Sequence, residues 1–297
     1  RNLQRAGIRP IGWTTDFSLH SVDFREISSG GVPRDGIPPL DDPQFTTPAL
    51  ANDWLGDREP VIALEINGEA RAYPLQILIW HEIANDVVGG VPVTVTFCPL
   101  CNSALVFERT LDGVIHDFGV SGNLRNSDLI MWDRQTETWW QQFTGEGIVG
   151  ELTGKQLKIV SSVIVSWETF RDAYPTSPVL SRDTGYDRSY GLNPYVGYDT
   201  VDNPPFLFRG KTDGRLQPKE RVVALTVDGE DVAFPFEILQ EERVVGDGSG
   251  EHEVVVFFES GTASALNARS ISGSDDVGAS GVFRTVVDGD RLTFRAN

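Results

Sequence analysis

The fold is decided by a stretch that reads Val61-Ile-Ala-Leu-Glu-Ile66, Asn67-Gly68, Glu69-Ala-Arg-Ala-Tyr73. Two β-type runs separated by Asn-Gly predict a β-hairpin, because both turn residues accept the positive φ angles of a tight type I′ turn. A short helix is expected over residues 75–83, since Pro74 suits the first position of a helix. Two further strands are predicted, over residues 93–97 and 104–109. This order is typical of a β-rich α+β protein.

The same unit occurs a second time in the chain. Residues 60–105 align without a gap with residues 221–266, and 17 of the 46 aligned positions are identical. The alignment resumes after an insertion at 267–281 and continues to Phe118 and Phe294. Because the shared residues are mainly apolar and turn residues, the sequence predicts two related modules, the second of them incomplete.

The position of this repeat divides the chain into four predicted segments. We expect an extended N-terminal arm over residues 1–57, where Pro and Gly recur. The first module is expected over 58–200, a linker over 201–220, and a second, degenerate and partial module over 221–297. The second copy ends three residues after Phe294, whereas the first copy continues. We therefore expect the sequence to be cut short at this end, and the alternative is a gene that encodes only half of a second module.

Charge and hydropathy disfavour several classes of partner. The chain has 43 acidic and 25 basic residues and a net charge of −18, which predicts no nucleic-acid partner and no docking on anionic lipid. No apolar run is long enough to span a membrane. The sequence begins at Arg1 rather than Met. A removed leader peptide would make the protein extracytoplasmic, and the alternative is an arbitrary boundary.

The only two cysteines lie together in Phe97-Cys98-Pro99-Leu100-Cys101, directly after a predicted strand. A Cys-x-x-Cys turn binds a soft metal, exchanges disulfides or forms a structural disulfide. A zinc ribbon needs a second pair, so any metal here must recruit other ligands. The repeat supplies an internal control, because Cys98 aligns with Glu259 and Cys101 with Thr262. The fold itself therefore does not require cysteines at this turn.

Histidine and methionine supply the remaining soft ligand candidates. His81 lies in the predicted helix and completes a Cys–Cys–His set, which suits copper, with zinc as the alternative. An ordinary buried or surface histidine is the competing interpretation. Met131 and His116 are possible extra ligands, although a core methionine and a strand histidine are ordinary features. Asp86 or Glu82 is a candidate acceptor of a hydrogen bond from a ligand.

Five segments together resemble the domain-of-unknown-function 3179 family: Trp80-His-Glu-Ile-Ala-Asn-Asp86, Phe97-Cys-Pro-Leu-Cys101, Phe118-Gly-Val-Ser-Gly122, Asn126-Ser-Asp128 and Asp133-Arg-Gln-Thr-Glu-Thr-Trp139. The resemblance covers about residues 35–200 and, more weakly, the second copy. Relatives are mostly bacterial and archaeal, often have leader peptides, and include some described as selenoproteins at the Cys-x-x-Cys motif. The resemblance therefore implies a redox-capable or soft-metal site at Cys98 and Cys101. It implies no substrate.

Three functions are compatible with these observations, and whether the protein is an enzyme stays open. The first is an extracytoplasmic protein that binds a thiophilic metal, copper rather than zinc, through Cys98, Cys101 and His81. The second is a metal-free thiol–disulfide oxidoreductase with Cys98 as the attacking thiolate. The third is a secreted structural, filament or assembly subunit. In that case a neighbouring copy completes the second module, and the protein is a homo-oligomer.

Overall fold

The structure, a computed structural model, describes residues 3, 8, 10–227, 229–246 and 254–296. It is β-rich, with 40% strand and 11% helix in several sheets, which agrees with the expected α+β class. Parts of the predicted arm (residues 1, 2, 4–7 and 9) and of the predicted second module (228, 247–253 and 297) lie outside the described residues. Across the described residues, every helix is too short or too polar to cross a membrane.

The helices are few and short. They are α1 (Pro48–Ala51), α2 (Leu75–His81), α3 (Trp167–Ala173) and α4 (Phe236–Glu242), with 3-10 turns at Phe24–Glu26 and Ile271–Gly273.

The strands are numbered in chain order. Up to residue 111 they are β1 (Ile27–Ser29), β2 (Phe45–Thr46), β3 (Pro60–Ile66), β4 (Glu69–Pro74), β5 (Ile83–Val88), β6 (Val91–Cys98), β7 (Ser103–Glu108) and β8 (Thr110–Leu111). They continue with β9 (Val114–Ile115), β10 (Phe118–Arg125), β11 (Asp128–Asp133), β12 (Trp139–Gln141), β13 (Glu146–Val149), β14 (Lys158–Val160), β15 (Ser162–Ser166) and β16 (Val179–Leu180). The last are β17 (Val222–Val227), β18 (Glu230–Pro235), β19 (Val244–Gly246), β20 (Val254–Glu259), β21 (Ala279–Arg284), β22 (Val286–Val287) and β23 (Asp290–Arg291).

Three sheets make up the larger part of the structure. Their strand orders are β1-β10-β11-β12-β13, β14-β7-β6-β5 and β15-β3-β4-β16-β2. The predicted hairpin is β3–β4, in which Ile66 pairs with Glu69 across Asn67 (φ 52°) and Gly68 (φ 79°). The positive φ angles explain why Asn-Gly stands at this turn. Helix α2 follows at once and is almost entirely buried against β6 and the hairpin.

The predicted N-terminal arm lies along the first module. It supplies β1, which pairs with β10, and β2, which pairs with β16. Leu40 exchanges backbone hydrogen bonds with the β5 segment, at 2.9 Å to Ile83 and 2.8 Å from Asn85. These contacts bring residues 30–37 over the end of the sheet that carries the cysteine turn.

Residues of the predicted second module also contact the first. Ala265, Leu266 and Ile271, which follow β20, are buried in the same apolar cluster as Ile77 of α2. The neighbouring Tyr195 and Tyr198 pack against this cluster from the loops that precede β17. One core therefore joins the two parts of the chain, and the loop around residues 195–206 is held close to the cysteine turn.

Candidate functional site

The two cysteines lie in the tight turn between β6 and β7. Cys98 is the last residue of β6 and pairs with Ser103 at the start of β7. The Cys101 N–H donates to the Cys98 carbonyl oxygen at 3.2 Å, and Asn102 has a φ of 50°. The turn therefore holds both thiols at one end of the sheet. They are not joined by a disulfide bond.

A second hairpin brings a carboxyl group to the thiols. Between β10 and β11, Asn126 and Ser127 have φ angles of 49° and 78°, so the chain reverses within two residues and Asp128 begins β11. The Cys101 thiol donates to Asp128 Oδ1 at 3.3 Å. The two sulfurs and a carboxyl oxygen of Asp128 all lie within 4.8 Å of one another. We call Cys98, Cys101 and Asp128 the thiol–carboxylate group.

Neighbouring donors fix the Asp128 side chain. Its Oδ2 accepts hydrogen bonds from the Phe143 backbone N–H, at 3.0 Å, and from the Gln141 side-chain amide. Asp128 is 5% exposed, and burial raises its pKa above the usual range. The motif Asn126-Ser-Asp128 did not by itself predict a function for Asp128. The Asn-Ser pair ahead of a strand was the turn signal that could have placed it.

Burial and like charge raise the pKa of both thiols. Cys98 is 1% exposed, and burial is the main cause of its raised pKa, with smaller contributions from Asp128 and Glu82. The pKa of Cys101 is raised chiefly by its hydrogen bond with Cys98 and then by burial. Without a cation, the thiols therefore keep their protons. A bound metal ion supplies the positive charge that makes the thiolate forms favourable.

His81 is not part of the thiol–carboxylate group. It is fully buried at the end of α2, where its Nδ1 donates to the Pro38 carbonyl oxygen at 2.7 Å. Its Nε2 lies 2.6 Å from the Tyr190 hydroxyl. Burial lowers the pKa of His81, so the ring is neutral and Nε2 accepts the Tyr190 proton. To bind a metal, His81 would have to give up one of these two hydrogen bonds.

The other sequence candidates lie outside the thiol–carboxylate group. Met131 is fully buried in the apolar cluster that also contains Cys98, against which Cys101 packs. His116 donates from Nδ1 to Asp133 Oδ1 at 3.0 Å, and both residues are buried. Asp86 forms an ion pair with Arg71 at 2.7 Å. None of these three candidates belongs to the thiol–carboxylate group that the described residues form.

Glu82, the residue after α2, is the acidic neighbour of the group. Its backbone has a φ of 59°, and its N–H donates to the Leu78 carbonyl oxygen at 2.7 Å, which ends the helix. Its side chain is 7% exposed, and no described residue donates a hydrogen bond to it. Burial, and to a lesser degree the charge of Asp128, raises the pKa of Glu82 to about 8. Glu82 is thus a buried acid without a hydrogen-bonding partner.

A cavity of about 310 Å³ lies beside the group. Its wall includes Glu82, Leu100 between the two cysteines, and Leu129 next to Asp128. The other lining residues come from the arm, from β10 and from the loop before β17: Gly30, Val32, Ile37, Val120, Gly122, Asn123, Leu124, Tyr195, Tyr198 and Phe206. Its size is at the lower end of the range for small-molecule sites.

Comparison with known proteins identifies the family to which the chain belongs, but matches no curated protein and no solved structure. Residues 34–294 match the family model described as Protein of unknown function (DUF3179). The chain belongs to this family.

The segments by which the sequence resembles other DUF3179 proteins meet at this site. Trp80–Asp86 contains Glu82, Phe97–Cys101 is the cysteine turn, and Asn126–Asp128 ends in the carboxyl ligand candidate. Phe118–Gly122 contributes Val120 and Gly122 to the cavity wall. The fifth segment, Asp133–Trp139, begins with the residue that accepts the His116 hydrogen bond. In this DUF3179 chain, four of the five segments therefore form the group or the cavity.

Proposed function

We propose that this DUF3179 protein binds a thiophilic transition metal through Cys98, Cys101 and Asp128. The observation that carries the proposal is the clustering of two sulfurs and one carboxyl oxygen within 4.8 Å. One tetrahedral ion with metal–sulfur bonds of about 2.3 Å holds its two sulfurs about 3.8 Å apart. The group therefore needs only a small adjustment of side chains to share an ion.

The electrostatics of the group support a cation rather than a free thiolate. Burial raises the pKa of the Asp128 carboxyl, and it contributes to the raised pKa of both thiols. A metal ion would displace these protons, so binding is expected to release protons and to strengthen as the pH rises. Two buried groups and one partly buried group would be costly to ionise together without a cation.

The ligand types bear on which metal binds. Thiolates favour Cu(I) and zinc over magnesium and calcium. A carboxylate oxygen is a ligand that zinc accepts readily, whereas Cu(I) prefers sulfur. The preference for copper at the sequence level relied partly on His81, whose two ring nitrogens are engaged elsewhere. We therefore propose zinc and copper as the two candidates, with Asp128 contributing more to zinc binding than to Cu(I) binding.

Metal content of the purified protein tests this proposal. Chain prepared without chelator, and chain exposed to Zn²⁺ or Cu⁺ and then desalted, is measured by inductively coupled plasma mass spectrometry. We expect one ion per chain in the wild type and little in Cys98→Ser, whereas Asp128→Asn should weaken zinc more than Cu(I). The exposed Asp42→Asn is the matched control, and His81→Gln should retain metal. A wild-type chain that retains neither ion would refute the proposal.

The second candidate is a thiol–disulfide oxidoreductase, which is favoured by two unpaired thiols in one turn. Its difficulty is chemical, because catalytic dithiols depend on a lowered pKa and an accessible sulfur. Here the pKa of Cys98 is raised and the residue is 1% exposed. A reversible thiol–disulfide couple measured in chelator-treated protein, together with reduction of a test disulfide, would favour this function over metal binding.

We also infer that the two halves carry one repeated unit. Helices α2 and α4, and strands β4 and β18, differ by 161 residues at both ends. Each helix is followed by a residue with a φ near 60°, Glu82 and Arg243. Strands β7 and β21 differ by 176 residues, so the insertion enters before β21, earlier than the sequence alignment places it. Cys98 and Glu259 still correspond, each as the last residue of its strand.

The repeat bears on the third function, a subunit completed by a neighbouring chain. Strands β3 and β4 are flanked by β15 and β16, whereas β17 and β18 form a two-stranded sheet within the described part of the chain. Phe283 on β21 is 55% exposed. An unpaired strand edge and an exposed aromatic side chain favour association with another copy. Light scattering after size-exclusion chromatography, over a range of concentrations and with both cysteines replaced, tests this function.

We further propose an extracytoplasmic location. The support is the resemblance to relatives with leader peptides and the acidic composition of the chain. Antibody detection of the native protein in separated cytoplasmic and extracytoplasmic fractions tests it, with a cytoplasmic enzyme as the marker of leakage.

A further inference from the structure

The cavity beside the cysteine turn has one carboxyl group in its wall. Among its lining residues, Glu82 is the only acid or base, and the others are apolar, aromatic or glycine, apart from Asn123. The Glu82 side chain is more than nine-tenths buried, and no described residue donates a hydrogen bond to it. A buried carboxyl without a donor is costly unless something else supplies one. The missing donor is therefore expected from a ligand in the cavity.

Aromatic side chains form the wall contributed by the loop before β17. Tyr195 and Tyr198 lie with ring centroids 6.4 Å apart and planes at 66°, and Phe206 adds a third ring. Lys219 already stands over the Tyr198 ring, with its Nζ 4.3 Å from the ring centroid, so this aromatic group already holds one cation. Faces of Tyr and Phe rings attract cations. A small cavity that combines aromatic ring faces with an acidic group is suited to binding an organic cation.

The cavity opens to solvent at a defined mouth. Val32 and Phe206 are 36% and 50% exposed, whereas Val120 and Leu129 are each 2% exposed. The Tyr198 hydroxyl is engaged already, donating to the Leu100 carbonyl oxygen at 3.1 Å and accepting from the Phe206 N–H at 3.0 Å. Among the described residues, the Glu82 carboxyl is therefore the acidic group of the wall that accepts no hydrogen bond, and the Tyr195 hydroxyl near it is the other polar group of the wall with no bond to a described residue.

From this geometry we propose that the cavity binds a small organic cation, a protonated amine on an apolar body, with the Glu82 carboxylate as its counter-ion. The ammonium group donates the hydrogen bonds that Glu82 lacks, and the apolar body fills the space between Val120, Leu129 and the aromatic wall. When Glu82 is ionised, a carboxylate ligand is rejected, because two negative charges would face each other with no basic side chain in the lining. A neutral alcohol offers one hydrogen bond without the charge.

This site does not depend on a metal at the thiol–carboxylate group, because none of its proposed contacts is a metal ligand. Its failure is therefore distinguishable from failure of the proposed function. Binding is measured on chelator-treated protein and on zinc-exposed protein whose metal content is known. If the protein binds no metal, the measurement on chelator-treated protein still tests the binding of the organic cation.

Three probes of similar shape test the proposal: benzylamine, benzyl alcohol and benzoate, titrated by isothermal calorimetry at about pH 8. We expect benzylamine to bind at least about tenfold more tightly than benzyl alcohol, and benzoate not to bind. Glu82→Gln should remove the preference for the amine, since the amide keeps the shape and loses the charge. Glu168→Gln, at an exposed position, is the matched control and should leave the preference intact.

A second pair of variants tests the location without touching the buried acid. Val32→Trp narrows the mouth and should weaken benzylamine binding, whereas Val114→Trp, at a 50% exposed position on β9, should not. Circular dichroism checks that each variant is folded. The proposal is overturned if benzylamine does not bind at about 10 mM, if benzoate binds as well as benzylamine, or if Glu82→Gln keeps the wild-type preference.

Discussion

Replacing Glu82 by Gln should abolish a pH dependence of stability that the buried carboxyl group imposes on the chain. Its pKa rises from the usual 4.5 to about 8 on folding, because of burial and then the charge of Asp128. The folded state therefore holds a proton that the unfolded state has released. This contribution to stability is fully present below pH 4.5 and is lost as the pH rises towards about 8. At about 1.4 kcal/mol per pH unit, the change amounts to about 5 kcal/mol.

Urea unfolding followed by tryptophan fluorescence measures this effect in chelator-treated protein, where metal binding does not contribute. The free energy of unfolding is determined for wild type and Glu82→Gln at steps from about pH 5 to about pH 9. Burying the amide has a cost of its own, but that cost does not vary with pH. The difference between the two proteins should therefore shift by several kcal/mol in favour of Gln as the pH rises. A difference that stays constant across this range would refute the reasoning, and the exposed Glu168→Gln should show such a constant difference.

Three further predictions concern the surrounding structure. Zinc affinity should rise by about tenfold or more for each pH unit between about 6 and 8, because buried thiols must lose protons on binding; competition with a chromogenic chelator measures it, and a flat profile would contradict it. Gly122→Ala should lower the free energy of unfolding by about 2 kcal/mol or more, since a Cβ would meet the Val32 carbonyl oxygen at 2.2 Å at a φ of +77°. Gly113→Ala has a similar φ and open space, and should cost only about 1 kcal/mol in the same urea experiment. Asp133→Ala should cost about 3 kcal/mol or more, because it leaves buried donors that include the His116 ring without an acceptor, whereas the exposed Asp42→Ala should be nearly neutral by thermal unfolding.

Sequence patterns predicted the turns, helices and strands whose formation depends mainly on residues that are close together in the chain. The Asn67-Gly68 turn stands where the sequence predicts it. The helix after Pro74 ends at His81, two residues before its predicted end, because the chain turns at Glu82 into β5. The strand predicted over 93–97 spans Val91–Cys98 and so includes the first cysteine. In each case short-range sterics or a period of two is enough to determine the element. The cysteine turn was identified as the centre of interest for the same reason, since both sulfurs lie within one short segment.

The sequence alone could not show which residues that are distant in the chain lie next to each other in the fold. His81 stands one residue before Glu82, yet its ring nitrogens bond to Pro38 and Tyr190, both distant in the chain. Glu82 instead lies on the cavity wall, because its positive φ ends the helix and turns the chain into β5. Adjacent residues on a helix end point in different directions, and only the packing decides which of them reaches the thiols.

The site also draws on parts of the chain that lie outside the inferred repeat, and this explains why the repeat indicated the cysteines but not Asp128. In the repeat that we infer, Cys98 at the end of β6 corresponds to Glu259 at the end of β20. Asp128 comes from the β10–β11 hairpin, and the aromatic wall comes from the loop before β17. An internal alignment compares only positions that occur twice, so it cannot indicate a role for Asp128 or for the aromatic wall. In this inferred arrangement, the site lies where the end of a repeated strand, which carries Cys98, meets segments that occur only once in the chain. Substitutions at Glu259 should therefore leave metal and amine binding unchanged, which the same two assays would show.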